Sequence, residues 1–316
     1  MVKRIIKYVG LAVILYLIYL AVCLLVPPLF HKTTDTAARE AFYTAKTEEG
    51  GFEKERARSV DTNLEALLWR LRLVEEAKET LVLTTFDFRD ESGGQDMMAA
   101  LWNAANRGVK VQILVDGINA GLFLSGSDNF RQLACHENVE ARFYNPINFL
   151  TPWKINYRMH DKYLIADDWG YILGGRNTDN RFLGCYEEFY NEDRDILVYE
   201  TVPGKGESLC QLQNYFDRIW NLPDSKLCRK TGKGGNLDAH YEQLRKRYPE
   251  AFTPTDWESE TTETNRIELC TNSVEPKNKE PWIWDRMIEE MKRASDVQVQ
   301  TPYIISSKKM YQDLKS

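Results

Sequence analysis

Two strand-like segments separated by one helix constrain the fold of this chain more than any other feature of its sequence. The segment Thr80–Phe88 ends at turn residues, and the continuous apolar segment Val109–Gly117 follows a helical stretch from about Gln95 to Asn106. Strands joined through a helix of this length run parallel, because antiparallel neighbours need only a short turn. The pattern predicts a β-α-β unit and therefore an α/β fold.

Further segments extend this unit on both sides. Apolar residues from Leu64 to Val74 recur at helical spacing, and a second helix is expected near Ser127–Cys135. Strands are expected at Val139–Tyr144 and Arg194–Glu200, and the segment Gly206–Trp220 is typical of a helix. These segments continue the α/β pattern, and the chain has enough apolar residues for one sizeable core or two small ones.

The amino terminus contains an uncharged segment, Tyr8–Leu29, that is long enough to cross a bilayer as a helix. A cleaved signal peptide is the alternative, but its apolar core is usually about 7–15 residues long and ends in small residues. Three basic residues precede the span, whereas only His31 and Lys32 follow it closely. This bias favours a single-pass membrane protein whose catalytic domain lies on the extracytoplasmic side.

A second copy of the domain is expected to begin near the carboxyl terminus. The segment near Glu75–Phe88 is similar to that near Met291–Ile305, with an offset of 217 residues. We divide the chain into an anchor (1–30), a spacer (31–55), a first domain (56–222), a polar linker or insertion (223–265) and an incomplete second domain (266–316). The second copy's counterpart of His160 would fall near position 377.

Cysteine usage predicts neither a disulfide framework nor a zinc site. Five cysteines lie outside the apolar span, and none of them forms a C-x-x-C pair. We expect mostly buried thiols.

The segment "HDKYLIADDWGYILGGRN", which begins at His160, is typical of a β-hairpin. His160 and Lys162 would point to one face of its first strand, and Asp161 to the other. With the turn centred between residues 168 and 169, His160 would face Asn177 and Lys162 would face Gly175. An imidazole, an ammonium and an amide would thus surround one spot that Gly175 leaves open.

These three groups suit a phosphodiester better than a metal ion. Lys162 would repel a cation, whereas it supplies positive charge to a phosphate, to which Asn177 adds an N–H donor. A neutral His160 can attack phosphorus, and the nearby donors stabilise the charge on the non-bridging oxygens. Neither a metal nor another cofactor is expected. A lone surface histidine beside a lysine is most often only solvated, so the pair alone would be a weak signal.

The longer string H-x-K-x4-D followed by G-G-x-N is more specific. It resembles the first motif of the phospholipase D superfamily, in its bacterial cardiolipin synthase-like branch. The resemblance runs from about Leu64 to Trp220 and resumes at Arg266–Ser316. It implies a layered α/β/α fold with a mixed central sheet, here preceded by one transmembrane helix.

The resemblance also implies roles for individual residues. His160 corresponds to the nucleophile that forms a phosphohistidine, and Lys162 and Asn177 correspond to phosphate ligands. The motif aspartate is Asp167, which in this family organises structure rather than donating a proton. Asp193 is the best match for the carboxylate that orients the histidine, with Asp195 and Glu188 as alternatives. Gly175 stands where the family often has a serine, so one hydroxyl donor is absent.

Family members build one active site from two such motifs, so this chain is expected to carry half a site. The second half would come from a missing carboxyl-terminal segment or, less favoured, from a homodimer partner. The leading hypothesis is a membrane-anchored phosphatidyltransferase or phospholipase acting on a phospholipid substrate. The alternatives are a phosphodiesterase acting on nucleic acid, which the net charge of −6 does not support, and a catalytically silent membrane protein.

Overall fold

The structure is a computed structural model and describes residues 2–26, 53–229, 234–264, 267–272, 281–299, 301 and 307–315. The first helix, α1 (Val2–Leu25), covers most of the predicted apolar span, whose last residues lie outside the described ranges. Its length and apolar composition are sufficient to cross a membrane. Among its side chains only that of Cys23 is buried. The predicted spacer lies almost entirely outside the described residues.

The domain that follows is built on one nine-stranded sheet. Its strands are β1 (Glu55–Val60), β2 (Thr80–Thr85), β3 (Lys110–Asp116), β4 (Val139–Tyr144), β5 (Tyr163–Ala166), β6 (Gly170–Gly174), β7 (Asp195–Glu200), β8 (Ser225–Leu227) and β9 (Thr262–Glu263). Their order across the sheet is β8-β4-β3-β2-β5-β6-β7-β1-β9. β2, β3 and β4 are parallel, and every other pairing is antiparallel. The sheet is therefore mixed.

Helices cover both faces of the sheet. The longer helices of the domain are α2 (Asn63–Glu76), α3 (Ser92–Asn106), α4 (Asp128–Ala134), α5 (Glu207–Trp220) and α6 (Leu237–Arg247). Successive side chains of a strand alternate between faces, so Leu81 and Leu83 join the core under α2, α3, α4 and α6, whereas Val82 joins the core under α5. The predicted α/β class, with a mixed sheet between two helical layers, is confirmed.

Several predicted elements have the expected bounds, but the register of the hairpin was wrong. The strand at Val139–Tyr144 agrees residue for residue, and the β-α-β unit is present as β2, α3 and β3. In the hairpin, β5 pairs with β6 so that Tyr163 faces Leu173. The turn therefore has three residues, beginning at Asp167 with a positive φ of 49°. As a result Lys162 lies opposite Gly174, whose N–H donates to the Lys162 carbonyl at 3.2 Å.

The segment predicted as a linker or insertion packs on the first domain where the structure describes it. It contributes the edge strands β8 and β9 and the helix α6, whose Leu237, Tyr241 and Leu244 enter the core beside α3. Two short helical turns follow α6, at Pro249–Phe252 and Trp257–Glu260. Trp257 packs on Trp69 of α2, with ring centroids 5.7 Å apart. An additional strand, β1, begins at residue 55, the last of the predicted spacer.

The carboxyl-terminal segment contains α7 (Trp282–Arg293) and α8 (Lys308–Asp313). α7 ends 217 residues after the end of α2, which matches the offset found in the sequence. The strand predicted after α7 falls largely outside the described residues. Its described part, residues 297–299 and 301, is exposed and has no strand assignment.

Candidate functional site

The predicted site residues converge at one edge of the sheet. This edge, which we call the site edge, is formed by the carboxyl ends of β2, β3, β4 and β6. His160 and Lys162 precede β5, and Gly175 and Asn177 follow β6. Asp193 precedes β7 at the same edge. Side chains from different strands meet here because the carboxyl ends of parallel strands share an edge.

His160 and Lys162 are in direct contact. The Lys162 Nζ lies 2.9 Å from His160 Nδ1 and donates to the His160 carbonyl at 2.7 Å. Phe86, at the end of β2, packs against both, with its ring centroid 4.4 Å from that of His160 and 5.3 Å from the ammonium. Lys162 is 5% exposed, whereas His160 is open to solvent. The pair therefore presents an accessible imidazole backed by a buried cation.

This environment shifts both protonation equilibria. Desolvation and, second, the neighbouring Lys162 ammonium lower the pKa of His160 to about 4. Burial lowers the pKa of Lys162 to about 8, although the carboxylates of Asp161, Asp193 and Asp87 act in the opposite direction. At neutral pH the site therefore holds a neutral imidazole beside a protonated amine.

The contact between the two residues fixes the tautomer of the imidazole. A protonated lysine has only donors, so His160 Nδ1 accepts and the ring proton resides on Nε2. Attack through Nε2 requires this proton to move to Nδ1, and hence requires Lys162 to turn away and an acceptor to replace it. An anionic phosphate is a group that would draw Lys162 from the imidazole.

Gly175 and Asn177 occupy different positions from those that the predicted register gave them. A Cβ on Gly175 would lie 2.2 Å from Asp193 Oδ2, so the space next to this glycine holds the Asp193 carboxylate. The Asn177 side chain accepts from the Asp87 N–H at 3.3 Å and thereby joins the end of β6 to the end of β2. Gly175 thus admits a carboxylate rather than leaving an open space beside Lys162.

Of the three carboxylates predicted to orient His160, Asp193 is the one whose charge acts on Lys162. Its Oδ1 accepts from the Arg194 N–H at 2.7 Å. Among the described residues no hydrogen bond joins it to His160. Of the two alternatives, Asp195 is fully buried in an ion cluster with Arg70 and Arg176, and Glu188 is exposed. Orientation of the histidine by Asp193 stays a prediction.

Asp167 lies at the opposite end of β5. At about 3.3 Å per residue, it is roughly 16 Å along the strand from Lys162. Its carboxylate accepts from the N–H groups of Lys78, Glu79 and Thr80 at 2.9, 2.9 and 2.7 Å. It therefore satisfies the backbone at the start of β2, a structural position that fits the role implied for it.

Two aspartates at the site edge were missed by sequence reasoning. Asp116, at the end of β3, is buried and accepts from Arg158 Nη1 at 3.0 Å and from the Met159 N–H at 3.3 Å. It thereby holds the segment that leads into His160. Asp87 follows β2 and binds Arg89 and Arg181 through its Oδ2. Their position in the sequence could have identified them, because both lie at the carboxyl end of a parallel strand.

Within the part of the chain that the structure describes, no group of three or more His, Cys, Asp or Glu side chains could hold a metal ion.

Comparison with known proteins finds relatives of the part of the chain that holds this arrangement. Residues 71–220 match the family of domains described as "Cardiolipin synthase, PLD-like domain". Cardiolipin synthase C of Escherichia coli K12 is 34% identical over 153 residues, which are 45% of this chain and 32% of that protein. A cardiolipin synthase of Oceanobacillus iheyensis is 29% identical over 191 residues, 55% of this chain and 38% of that one. The chain spans about a third of the length of these curated relatives.

Among solved structures, Nuc of Salmonella typhimurium, a phospholipase D family member, aligns with 55% of this chain and 99% of its own. The TM-score is 0.42 and the sequence identity is 17%. The matched range 71–220 contains β2 to β7, and with them the His160 and Lys162 pair. Residues 71–220 of this chain are therefore similar to the cardiolipin synthase-like branch of the phospholipase D superfamily.

Proposed function

We propose that this protein is a membrane-anchored phosphatidyltransferase or phospholipase that acts on phospholipid phosphodiester bonds through a phosphohistidine at His160. The observation that carries the proposal is the contact of 2.9 Å between a neutral His160 and the buried, protonated Lys162. A nucleophile next to a fixed positive charge is what attack on an anionic phosphodiester requires. The similarity to cardiolipin synthases supports a phospholipid as the substrate.

The reaction begins when a substrate phosphate binds next to Lys162. The ammonium turns from His160 Nδ1 to a non-bridging oxygen, and the ring proton is held at Nδ1 by a carboxylate, for which Asp193 is our candidate. Nε2 then forms a bond to phosphorus as the bond from phosphorus to one alcohol oxygen breaks. Water or a second alcohol next attacks phosphorus, releases His160 and completes hydrolysis or transfer.

The departing alcohol must receive a proton, and the return step needs a base. We propose that a second histidine, from the other half of the two-motif site, supplies both. A further segment of the same polypeptide is the favoured source, and a second copy of the chain is the alternative. α7, which repeats the position of α2 at an offset of 217 residues, supports a second domain of the same design.

The apolar helix α1 supports membrane anchoring, and the basic residues before Tyr8 support a catalytic domain on the extracytoplasmic side. An enzyme held at the bilayer surface meets lipid headgroups at high local concentration. We therefore place the protein in the cell membrane with a single span.

The proposal is tested with the full polypeptide, including the segment or second copy that supplies the other histidine, in vesicles that contain headgroup-labelled phosphatidylglycerol. We expect release or transfer of the label by the wild-type protein and its loss in His160→Ala. His136→Ala is the matched control, because His136 is bonded to Asn106 and Asn138 away from the site edge. Equal turnover by His160→Ala would contradict the assignment of the nucleophile. A wild-type chain that binds vesicles but leaves the lipid intact would contradict enzymatic activity of this chain.

A further inference from the structure

Exposed apolar side chains are concentrated in the loops of the site edge. The loop after β3 exposes Leu122 and Phe123, and the loop after β4 exposes Ile147, Phe149 and Leu150. Phe149 is 72% exposed and Leu150 is 84% exposed. The loops at the opposite edge of the sheet expose one large apolar side chain, Val202, among the described residues. Contiguous apolar exposure of this kind marks a surface that contacts a partner or a membrane.

The loop after β4 also contacts α1. The Tyr16 hydroxyl donates to the Phe149 carbonyl at 2.9 Å, and the Asn156 side chain donates to the Leu24 carbonyl at 3.2 Å. An apolar cavity of about 170 Å³ lies between helix and loop, with Leu20, Ile118 and Ile155 among its walls. The apolar loop is thus continuous with the helix that is long and apolar enough to cross a membrane.

The geometry of α1 sets the depth of the loop. Tyr16 precedes Leu24 by eight residues, or about 12 Å at 1.5 Å per residue. If α1 crosses the bilayer, the tip of the loop therefore lies inside the bilayer, deeper than the point at which the helix leaves it. A backbone at that depth cannot rely on water for its hydrogen bonds.

Three backbone groups of the loop tip are paired within the protein. The Phe149 carbonyl is bonded to Tyr16, as described above. The Leu150 N–H donates to Asn148 Oδ1 at 2.9 Å, and the Thr151 N–H donates to the Asn148 carbonyl at 3.0 Å. These three groups are paired next to exposed apolar side chains, which suits a lipid environment. At the rim, Lys226 is exposed and can meet anionic headgroups.

We propose that α1 and the loop Asn145–Tyr157 form one membrane-contact surface, in which Ile147, Phe149 and Leu150 insert among phospholipid acyl chains. The site edge then faces the bilayer, and headgroup phosphates lie beside His160. This inference rests on the proposed function for its substrate, but the contact with lipid does not depend on turnover.

The test is photo-crosslinking of the full chain in vesicles of phosphatidylcholine and phosphatidylglycerol. One variant carries p-benzoylphenylalanine in place of Phe149, and the control carries it in place of Val202, which is 45% exposed at the opposite edge. We expect several-fold more lipid adduct at position 149 than at position 202. Equal lipid adduct at both positions, or a cross-linked dimer from position 149, would overturn the proposal.

Kinetics provide a second readout that does not depend on the photoprobe. We expect the double variant Phe149→Ser, Leu150→Ser to raise KM for phosphatidylglycerol in vesicles and to leave turnover of a monomeric short-chain phospholipid unchanged. Val202→Ser should change neither value. Equal losses on both substrates would indicate damage to the site and contradict the proposal. If the protein floats with vesicles but gives no lipid adduct at position 149, this inference is wrong and the proposed function is unaffected. If the adduct forms but no turnover is seen, the proposed function is wrong and this inference stands.

Discussion

Two buried cations, Arg176 and Lys162, lie at the site edge, and their surroundings differ. Arg176 donates to Asn63 and to the carbonyls of Val60, Asp61 and Asp193, and it lies 3.4 Å from Asp195. Lys162 contacts only a neutral imidazole, a carbonyl and an aromatic ring, with no carboxylate within ion-pair distance among the described residues.

The comparison separates a structural charge from a functional one. A buried cation with a full set of partners stabilises the fold only while those partners remain, because breaking such a cluster leaves an unpaired charge. A buried cation that lacks some of its possible hydrogen-bond and ion-pair partners can still bind an anion. Its burial without these partners lowers the stability of the folded protein. We therefore propose that Arg176 serves the fold and that Lys162 binds phosphate.

The largest effect should come from breaking the buried ion cluster of Asp195 with Arg70 and Arg176. Asp195→Asn removes the negative charge shared by Arg70 and Arg176, and breaking a buried ion pair costs about 3–5 kcal/mol. For a domain of this size we expect the Tm to fall by roughly 6–20 °C. Thermal unfolding in detergent measures the change. A Tm within error of the wild-type value would show that the cluster does not carry the stability we assign to it.

Lys162→Met should lower activity without lowering the Tm. Removal of the cation should lower kcat/KM by about 10²–10³-fold, the usual effect of losing one donor to a developing oxyanion. The Tm should not fall, because the lysine is buried without an ion partner and methionine has a similar shape. Parallel activity and melting measurements test both halves. A variant that is less stable but fully active would reverse the assignment.

Asp167→Ala should affect stability moderately and chemistry little. It leaves the N–H groups of Lys78, Glu79 and Thr80 without their acceptor, for a loss of about 1–3 kcal/mol. Asp167→Asn is the matched control, since asparagine tolerates the positive φ and retains one acceptor oxygen. A change in the pH dependence of kcat/KM in the folded variants would show that Asp167 takes part in proton transfer.

The sequence predicted local features of this molecule better than long-range ones. The strand Val139–Tyr144 and the helix α5 follow from periodicity, which depends on neighbouring residues. β1 carries charged residues at Glu55, Arg56 and Arg58, and it exists because it pairs with β7 and β9, about 140 and 205 residues away. No local pattern contains that information.

In the candidate site too, the sequence predicted contacts between near neighbours better than contacts between distant residues. The H-x-K spacing was enough to bring His160 next to Lys162, since the two residues are neighbours along an extended chain. Placement of Gly175 and Asn177 depended on the turn, and the positive φ of Asp167 added one turn residue that the predicted register lacked. The bond from Asp116 to Arg158 joins residues 42 positions apart and needed the sheet to be known.

The most direct test of the account is the protonation state of His160 in the full chain. Nitrogen NMR of the four histidines in detergent or nanodiscs, with the His160 signal assigned by its loss in His160→Gln, follows each ring as pH falls. We expect His160 to remain neutral, with its proton on Nε2, until the pH nears 4, and its pKa to rise in Lys162→Met while burial still holds it below the ordinary value. A wild-type His160 that titrates near 6.5 and does not respond to Lys162→Met would contradict the account.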